Sequence, residues 1–288
     1  MRRHYVIILA LLLVGGAIGF FMASQGEPTF EGKRLSSWLR DLRDPSALVQ
    51  HRAQNALRHM GTNSVPVLRE MLHARDSPLR TNIVSLLQRQ TLFKLSFAPA
   101  RERRVRAALA CAILGPMASP AVPDLLEFST GDNFCSNLAE SALGCLGETA
   151  VPPLCTVLMD TNSNYTLRRV AVGALASIGP PARAAIPALT NSLKDNFSEI
   201  RANAAHALGR IEFPSPEVVA ALMELLDDQD LKVRICAEMA VTGFGKPVMP
   251  ILASLSKGAD ASICRGATKA LDELTKAEKT QSGESPKP

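Results

Sequence analysis

The sequence predicts an all-α fold, an α-solenoid of about seven helix pairs preceded by an apolar amino-terminal helix, and three observations predict it. A short helical pattern recurs with its apolar anchor at positions 57, 111, 143, 175, 208, 241 and 271, so that successive anchors lie 54, 32, 32, 33, 33 and 30 residues apart. A period of about 30–35 residues holds two short helices and their turns, a unit that can bury its apolar stripe only against its neighbours. Composition agrees: 47% of the 288 residues are hydrophobic but only 13 are aromatic, and Ala-rich first helices of this kind approach one another closely. Punctuation is the third observation, because a Gly follows most of the first helices and an apolar-Pro pair opens most of the second.

The elements follow in chain order. Met1-Arg2-Arg3-His4 precedes an uncharged stretch from Tyr5 to Met22. Eighteen residues make a helix of about 27 Å at 1.5 Å per residue, close to the ~30 Å hydrocarbon core of a bilayer. Residues 1–22 are therefore expected to be an uncleaved transmembrane anchor, with residues 5–22 in the membrane. A cleaved signal peptide, which would leave a soluble periplasmic or secreted protein, is the alternative, with Ala17-Ile18-Gly19 as its cleavage site. Arg2 and Arg3 should stay in the cytoplasm, which sends the remainder to the exported, periplasmic side of a bacterial-type membrane in a single pass. Lys33, Arg34, Arg40 and Arg43 count against that orientation, but long domains cross largely regardless of charge.

Residues 23–43 read as a linker and a capping helix, in which Leu35, Trp38, Leu39 and Leu42 fall on one face and Trp38 plugs the first repeat. The array spans residues 44–275 and is interrupted by an insertion at about 76–100. Residues 276–288 lack apolar periodicity and are expected to be disordered.

Within the fourth unit Leu167, Val170, Ala171, Ala174, Leu175 and Ile178 form one continuous stripe, and Gly179-Pro180 ends the helix. Val65-Pro66, Val122-Pro123, Val151-Pro152, Ile186-Pro187 and Met249-Pro250 open the second helices. The run Arg201-Ala202-Asn203-Ala204-Ala205-His206-Ala207-Leu208-Gly209-Arg210-Ile211 resembles the first helix of HEAT repeats, in particular the short bacterial HEAT-like units of phycobilisome lyase-type proteins. The resemblance covers roughly residues 44–275 and implies a fold more than a function, since such arrays serve as scaffolds, carriers and occasionally enzymes. It also implies that an Asp before the first helix and an Arg within it link adjacent repeats. Asp195 with Arg201 and Asp228 with Arg234 match that spacing, which gives these arginines a structural role.

Reactive groups are sparse. His51, His59, His73 and His206 form no metal-spaced set, and neither a phosphate-binding loop nor a nucleophile elbow occurs, so no catalytic residue, metal or cofactor is expected. Six cysteines read mostly as small core residues; Cys145 and Cys155, at facing ends of one helix hairpin, are the candidate disulfide. Charge is uneven: residues 31–106 carry 15 Lys and Arg against 6 Asp and Glu, a net of +9, while residues 107–288 carry 15 against 20. Such asymmetry suits an anionic partner, or serves solubility alone. Lys33, Arg34, Arg40 and Arg43, just beyond the anchor, are candidates to face lipid. Phe97 in the insertion and Arg101, Arg103, Arg104 and Arg106 beside it are candidates to bind a protein partner. Few aromatics lie near that basic run and export would remove it from nucleic acid, which argues against a DNA or RNA role. The expected function is a membrane-tethered, non-catalytic scaffold for protein–protein interaction; a lyase, isomerase or nucleic-acid enzyme on the same fold is the alternative.

Overall fold

The structure is a computed structural model that describes residues 26–76, 98–160, 162–258 and 260–281. The expected anchor at residues 1–22, most of the expected insertion including Phe97, and the last seven residues of the expected tail lie outside the described residues. The chain divides into two compact units, Met1–Leu114 and Gly115–Pro288.

The first unit opens with a feature the all-α expectation did not contain. Thr29–Phe30 (β1) pairs antiparallel with Lys33–Arg34 (β2), Thr29 opposite Arg34 and Phe30 opposite Lys33. The turn between them places Glu31 and Gly32 at φ of 50° and 70°, the left-handed pair that a two-residue hairpin requires. Helix α1 (Leu35–Asp41) follows directly, its first amide donating to the Pro28 carbonyl at 2.9 Å. Trp38 is buried as expected of a plug. Its indole Nε1 donates to the Phe30 carbonyl at 3.2 Å, and Phe30 in turn stacks on His59 of α2 (Ala47–Met60) with ring centroids 5.0 Å apart. Helices α2 and α3 (Val65–Leu72) both pack against α4 (Ala100–Leu114). Trp38→Phe keeps an aromatic ring in place but removes the N–H that donates to the Phe30 carbonyl. We expect a loss of about 1 kcal/mol, read as a shift of a few degrees in the thermal transition.

The second unit alternates longer and shorter helices. The longer row is α6 (Asn133–Cys145), α8 (Tyr165–Ile178), α10 (Ser198–Ile211) and α12 (Leu231–Gly243). Each packs on the next in order. The shorter helices are α5 (Val122–Ser129), α7 (Val151–Met159), α9 (Ile186–Ser192), α11 (Pro216–Glu224) and α13 (Met249–Leu255), and α14 (Ala261–Gln281) closes the described chain. Five helices, α3, α5, α7, α9 and α13, start at the predicted apolar-Pro pairs. Pro suits the first turn because its missing N–H would have no helical acceptor.

The predicted Gly stops are equally local in origin. Gly61, Gly115, Gly147, Gly179 and Gly245 all hold φ between 53° and 69°, then lead into a short 3-10 turn that reverses the chain. The fifth unit has Glu212 at this place, and Glu212 takes the same left-handed conformation at φ 58°. Packing imposes a turn there that the side chain does not favour.

Burial extends past the predicted stripe. Val170, Ala171, Ala174 and Leu175 are fully buried, but so is Val172, because α8 is flanked by both α6 and α10. Small residues permit the close approach: a Cβ on Gly209 would lie 2.9 Å from the Ala240 Cα, and one on Gly144 2.7 Å from the Ser177 Cβ. At the carboxyl end α14 continues to Gln281, six residues into the stretch expected to be disordered. Ala, Glu, Lys and Gln in that stretch have high helix propensity, and Lys269–Glu273 adds an i,i+4 pair at 3.8 Å one turn earlier.

Candidate functional site

The charged side chains of the second unit are organised by the 33-residue period, which repeats one arginine at positions 168, 201 and 234. Each arginine reaches back to its own loop and, in the first two cases, forward to the next. Arg201 Nη1 donates to the Asp195 carbonyl at 2.9 Å, while Nε and Nη2 donate to the two carboxylate oxygens of Asp228 at 2.8 and 2.9 Å. Arg168 bonds the Ser163 carbonyl and pairs with Asp195 at 2.8 Å. The aspartates also brace their own turns, Asp195 accepting from Phe197 N and Asp228 from Asp230 N, both at 2.9 Å. The result is a ladder of forked ion pairs across successive seams, a geometry that a lysine would not reproduce. Hydrogen bonding from Arg201 holds the Asp228 carboxyl below the usual carboxylate range, and Asp228 reciprocally raises Arg201.

The expected link between repeats is therefore present, with a different pairing. The Asp and Arg six residues apart in one repeat meet through the Asp carbonyl, and the carboxylate serves the Arg of the preceding repeat. A second cross-seam pair joins Arg169 to Glu140 at 3.0 Å. Burial pushes the Glu140 carboxyl up, and Arg169 pulls against that shift. Arg169→Met should therefore drive the Glu140 midpoint higher still, which a carbon-detected NMR titration of the side-chain carboxyl would register; no upward movement would discard this account.

The ladder stops at the last seam. Six residues before Arg201 and Arg234 stand Asp195 and Asp228, but the seventh repeat has Gly258 and Cys264 at these places. Cys264 Sγ takes over the inner contact, donating to the Gly258 carbonyl at 3.2 Å. Arg234 Nη1 keeps its own-loop bonds to the Asp228 and Gln229 carbonyls at 2.7 and 3.1 Å, and no carboxylate meets its Nε and Nη2 among the described residues. Helix α14 packs chiefly on α13 and α11, where Gly266 lies so close to Leu226 that a Cβ would stand 2.9 Å from its Cδ1.

A groove of about 280 Å³ is left between α12 and α14. Met223 and Leu226 line it from below, Leu231, Arg234 and Ile235 from α12, and Arg265 and Lys269 from α14. Leu231, Ile235 and Met239 are 60%, 45% and 63% exposed. Their spacing of four residues puts them on one side of α12, where the preceding helix carries the half-buried Ser198, the buried Ala202 and the exposed His206.

The residues singled out from sequence fare differently. Arg103 pairs with Asp76 at 3.6 Å and Arg106 with Glu102 at 2.7 Å, so much of the basic run is engaged within the first unit. Arg104 is half-buried on α4, and Arg101 is exposed. Lys33 pairs with Asp41 and lies 4.2 Å from the Trp38 ring centroid; Arg40 bonds the Ser37 hydroxyl and Arg43 approaches Glu102 at 3.9 Å, while Arg34 is exposed. The disulfide expected between Cys145 and Cys155 is not formed: all six cysteines are free. Cys145 is exposed at the end of α6, and Cys155 follows the buried Leu154 on α7, turned away from the core line of that helix. Burial pushes the Cys155 and Cys236 thiols up, which disfavours their thiolates. No group of three or more His, Cys, Asp or Glu among the described residues is arranged to hold a metal ion.

Paired helices, Gly-ended turns and an arginine–aspartate ladder together define an α-solenoid repeat protein. Within it, the family model of HEAT repeats matches residues 151–242 and again 186–272. Among solved structures, the complex of CpcE and CpcF of phycocyanin lyase from Nostoc sp. is similar at 24% identity over 52% of this chain and 98% of that one, with a TM-score of 0.39. Computationally designed armadillo repeat proteins for modular peptide recognition match at 18% identity over 83% and 98% of the two chains, with a TM-score of 0.33. Human deoxyhypusine hydroxylase matches at 17% identity over 84% of each chain, with a TM-score of 0.32. None of these likenesses carries an activity to this chain. No curated protein matches the sequence.

Proposed function

We propose that this protein is a non-catalytic HEAT-repeat scaffold for protein–protein interaction, tethered by residues 5–22 to a bacterial-type cytoplasmic membrane with its repeats on the exported side. The observation that carries the interaction reading is the stripe of Leu231, Ile235 and Met239, three large apolar side chains left exposed beside a groove. Apolar groups so arranged favour burial against another surface. The tether rests on the uncharged run from Tyr5 to Met22 behind Arg2 and Arg3.

A photo-crosslinking residue at Met239 of the full-length protein, activated in intact cells, tests the interaction. Discrete adducts at Met239 and none at the exposed Met117 are expected; identical patterns at both would remove the reading. The tether predicts retention in membranes after carbonate washing and a reporter at Pro288 active only outside the cytoplasm. An intact mass corresponding to a start near Phe20 would establish the cleaved alternative.

A further inference from the structure

We infer that the groove between α12 and α14 takes an acidic helix-entry segment of a separate protein, one that supplies the carboxylate which the last seam lacks. The inference rests on the scaffold reading and specifies the chemistry of its partner. In the two closed seams an arginine receives, from the next repeat, an Asp in the turn that leads into a helix, and that helix then covers the arginine's own helix. Arg234 repeats the donor side of this arrangement, with its inner nitrogen already held by loop carbonyls and its outer fork open.

The preference for a carboxylate is local to the Arg234 fork. Glu238 and Glu273 are both engaged by Lys269, at 3.3 and 3.8 Å, whereas Arg234 and Arg265 have no ion pair among the described residues. Asp227 lines the same groove, so its three acidic and three basic side chains balance as a whole; the local feature is the open fork of Arg234, and a guanidinium fork selects a planar carboxylate. The apolar side chains around it specify more than an anion. Ile235 and Met239 occupy the places held in the fifth repeat by Ala202 and His206, and Ala202 is buried there whereas Ile235 is open. An occupant that presents a carboxylate in a turn and apolar residues on the following helix would satisfy both features at once.

The chain itself provides a probe of that chemistry. A synthetic peptide of residues 225–243 carries the Asp228 turn and α12, the segment that closes the seam on Arg201. Its binding to the full-length protein would be followed by fluorescence anisotropy, alongside the same peptide with Asp228→Asn. We expect saturable binding that weakens about tenfold with the Asn peptide, about tenfold with the Arg234→Gln protein, and no further when both changes are combined. Ile235→Glu, a change at an already exposed position, should weaken binding without altering the thermal transition, which keeps the test independent of folding. Equal affinity for the two peptides, or an Arg234→Gln protein that binds like the parent, would overturn the inference. If crosslinks form at Met239 while the peptides are not distinguished, the scaffold reading survives and the acidic partner does not. Self-association of the full-length protein in sedimentation, abolished by Arg234→Gln, would replace the separate partner by a second copy of the chain.

Discussion

Leu208→Asp is expected to lower the melting temperature of the second unit by about eight degrees or more. Leu208 is 1% exposed on α10, a helix packed on α8 on one side and α12 on the other. The substitution removes a buried aliphatic side chain, a loss of about 2–5 kcal/mol for such truncations, and places a carboxyl group where no donor awaits it. A combined cost of about 4–6 kcal/mol corresponds to roughly 8–24 °C, at about 2–4 °C per kcal/mol for a unit of this size. His206→Asp, two residues away and exposed, is the control and should leave the transition within a degree or two. Circular-dichroism melts of the two variants against the parent decide the matter. If both variants melt together, the assignment of the buried stripe to Leu208 and its equivalents is wrong.

What could be read from sequence was what depends on short-range chemistry. A Gly at φ near 60° and a Pro in a first helical turn are demanded by the backbone within a few residues, so Gly179 and Ile186-Pro187 mark their boundaries without reference to the rest of the fold. The β1–β2 hairpin escaped because its strands are two residues long, too short for alternation to show, and its turn carries Glu31 before Gly32. The ladder was half legible. A spacing of six placed Asp195 near Arg201, yet whether carbonyl or carboxylate meets the guanidinium is decided by how one repeat stacks on the next.

The groove was missed, although two departures from the repeat announced it. Gly258 and Cys264 replace the ladder's Asp and Arg, and Ile235 replaces a buried Ala202. Each substitution alone looks like ordinary variation among repeats. Their common meaning emerges only when α14 is seen packed toward α11 and α13, away from the open side of α12. The basic run from Arg101 to Arg106 shows the converse: charge that reads as a binding patch in sequence is partly neutralised by Asp76 and Glu102 once the helix is packed.

The ladder also makes stability depend on pH in a direction that can be worked out. Arg201→Met removes one partner of a largely buried, forked pair and leaves the Asp228 carboxylate without its strongest donor. A loss of about 3 kcal/mol at pH 7 is expected, or roughly 6–12 °C in the melting transition of the second unit. Asp228 is held below its ordinary range when folded, so its contribution is complete above the unfolded-state value near pH 4 and is lost as pH falls through the lower folded value. The gap between parent and Arg201→Met should therefore be constant from pH 7 to about 5 and shrink steadily as pH falls further. Arg168→Met, whose second contact to Asp195 is a looser 3.4 Å, should cost less than Arg201→Met at pH 7. Urea melts at a series of pH values measure both. A gap that persists undiminished well below pH 3 would mean that the arginine stem stabilises the seam through packing alone, and that the fork to Asp228 contributes nothing measurable.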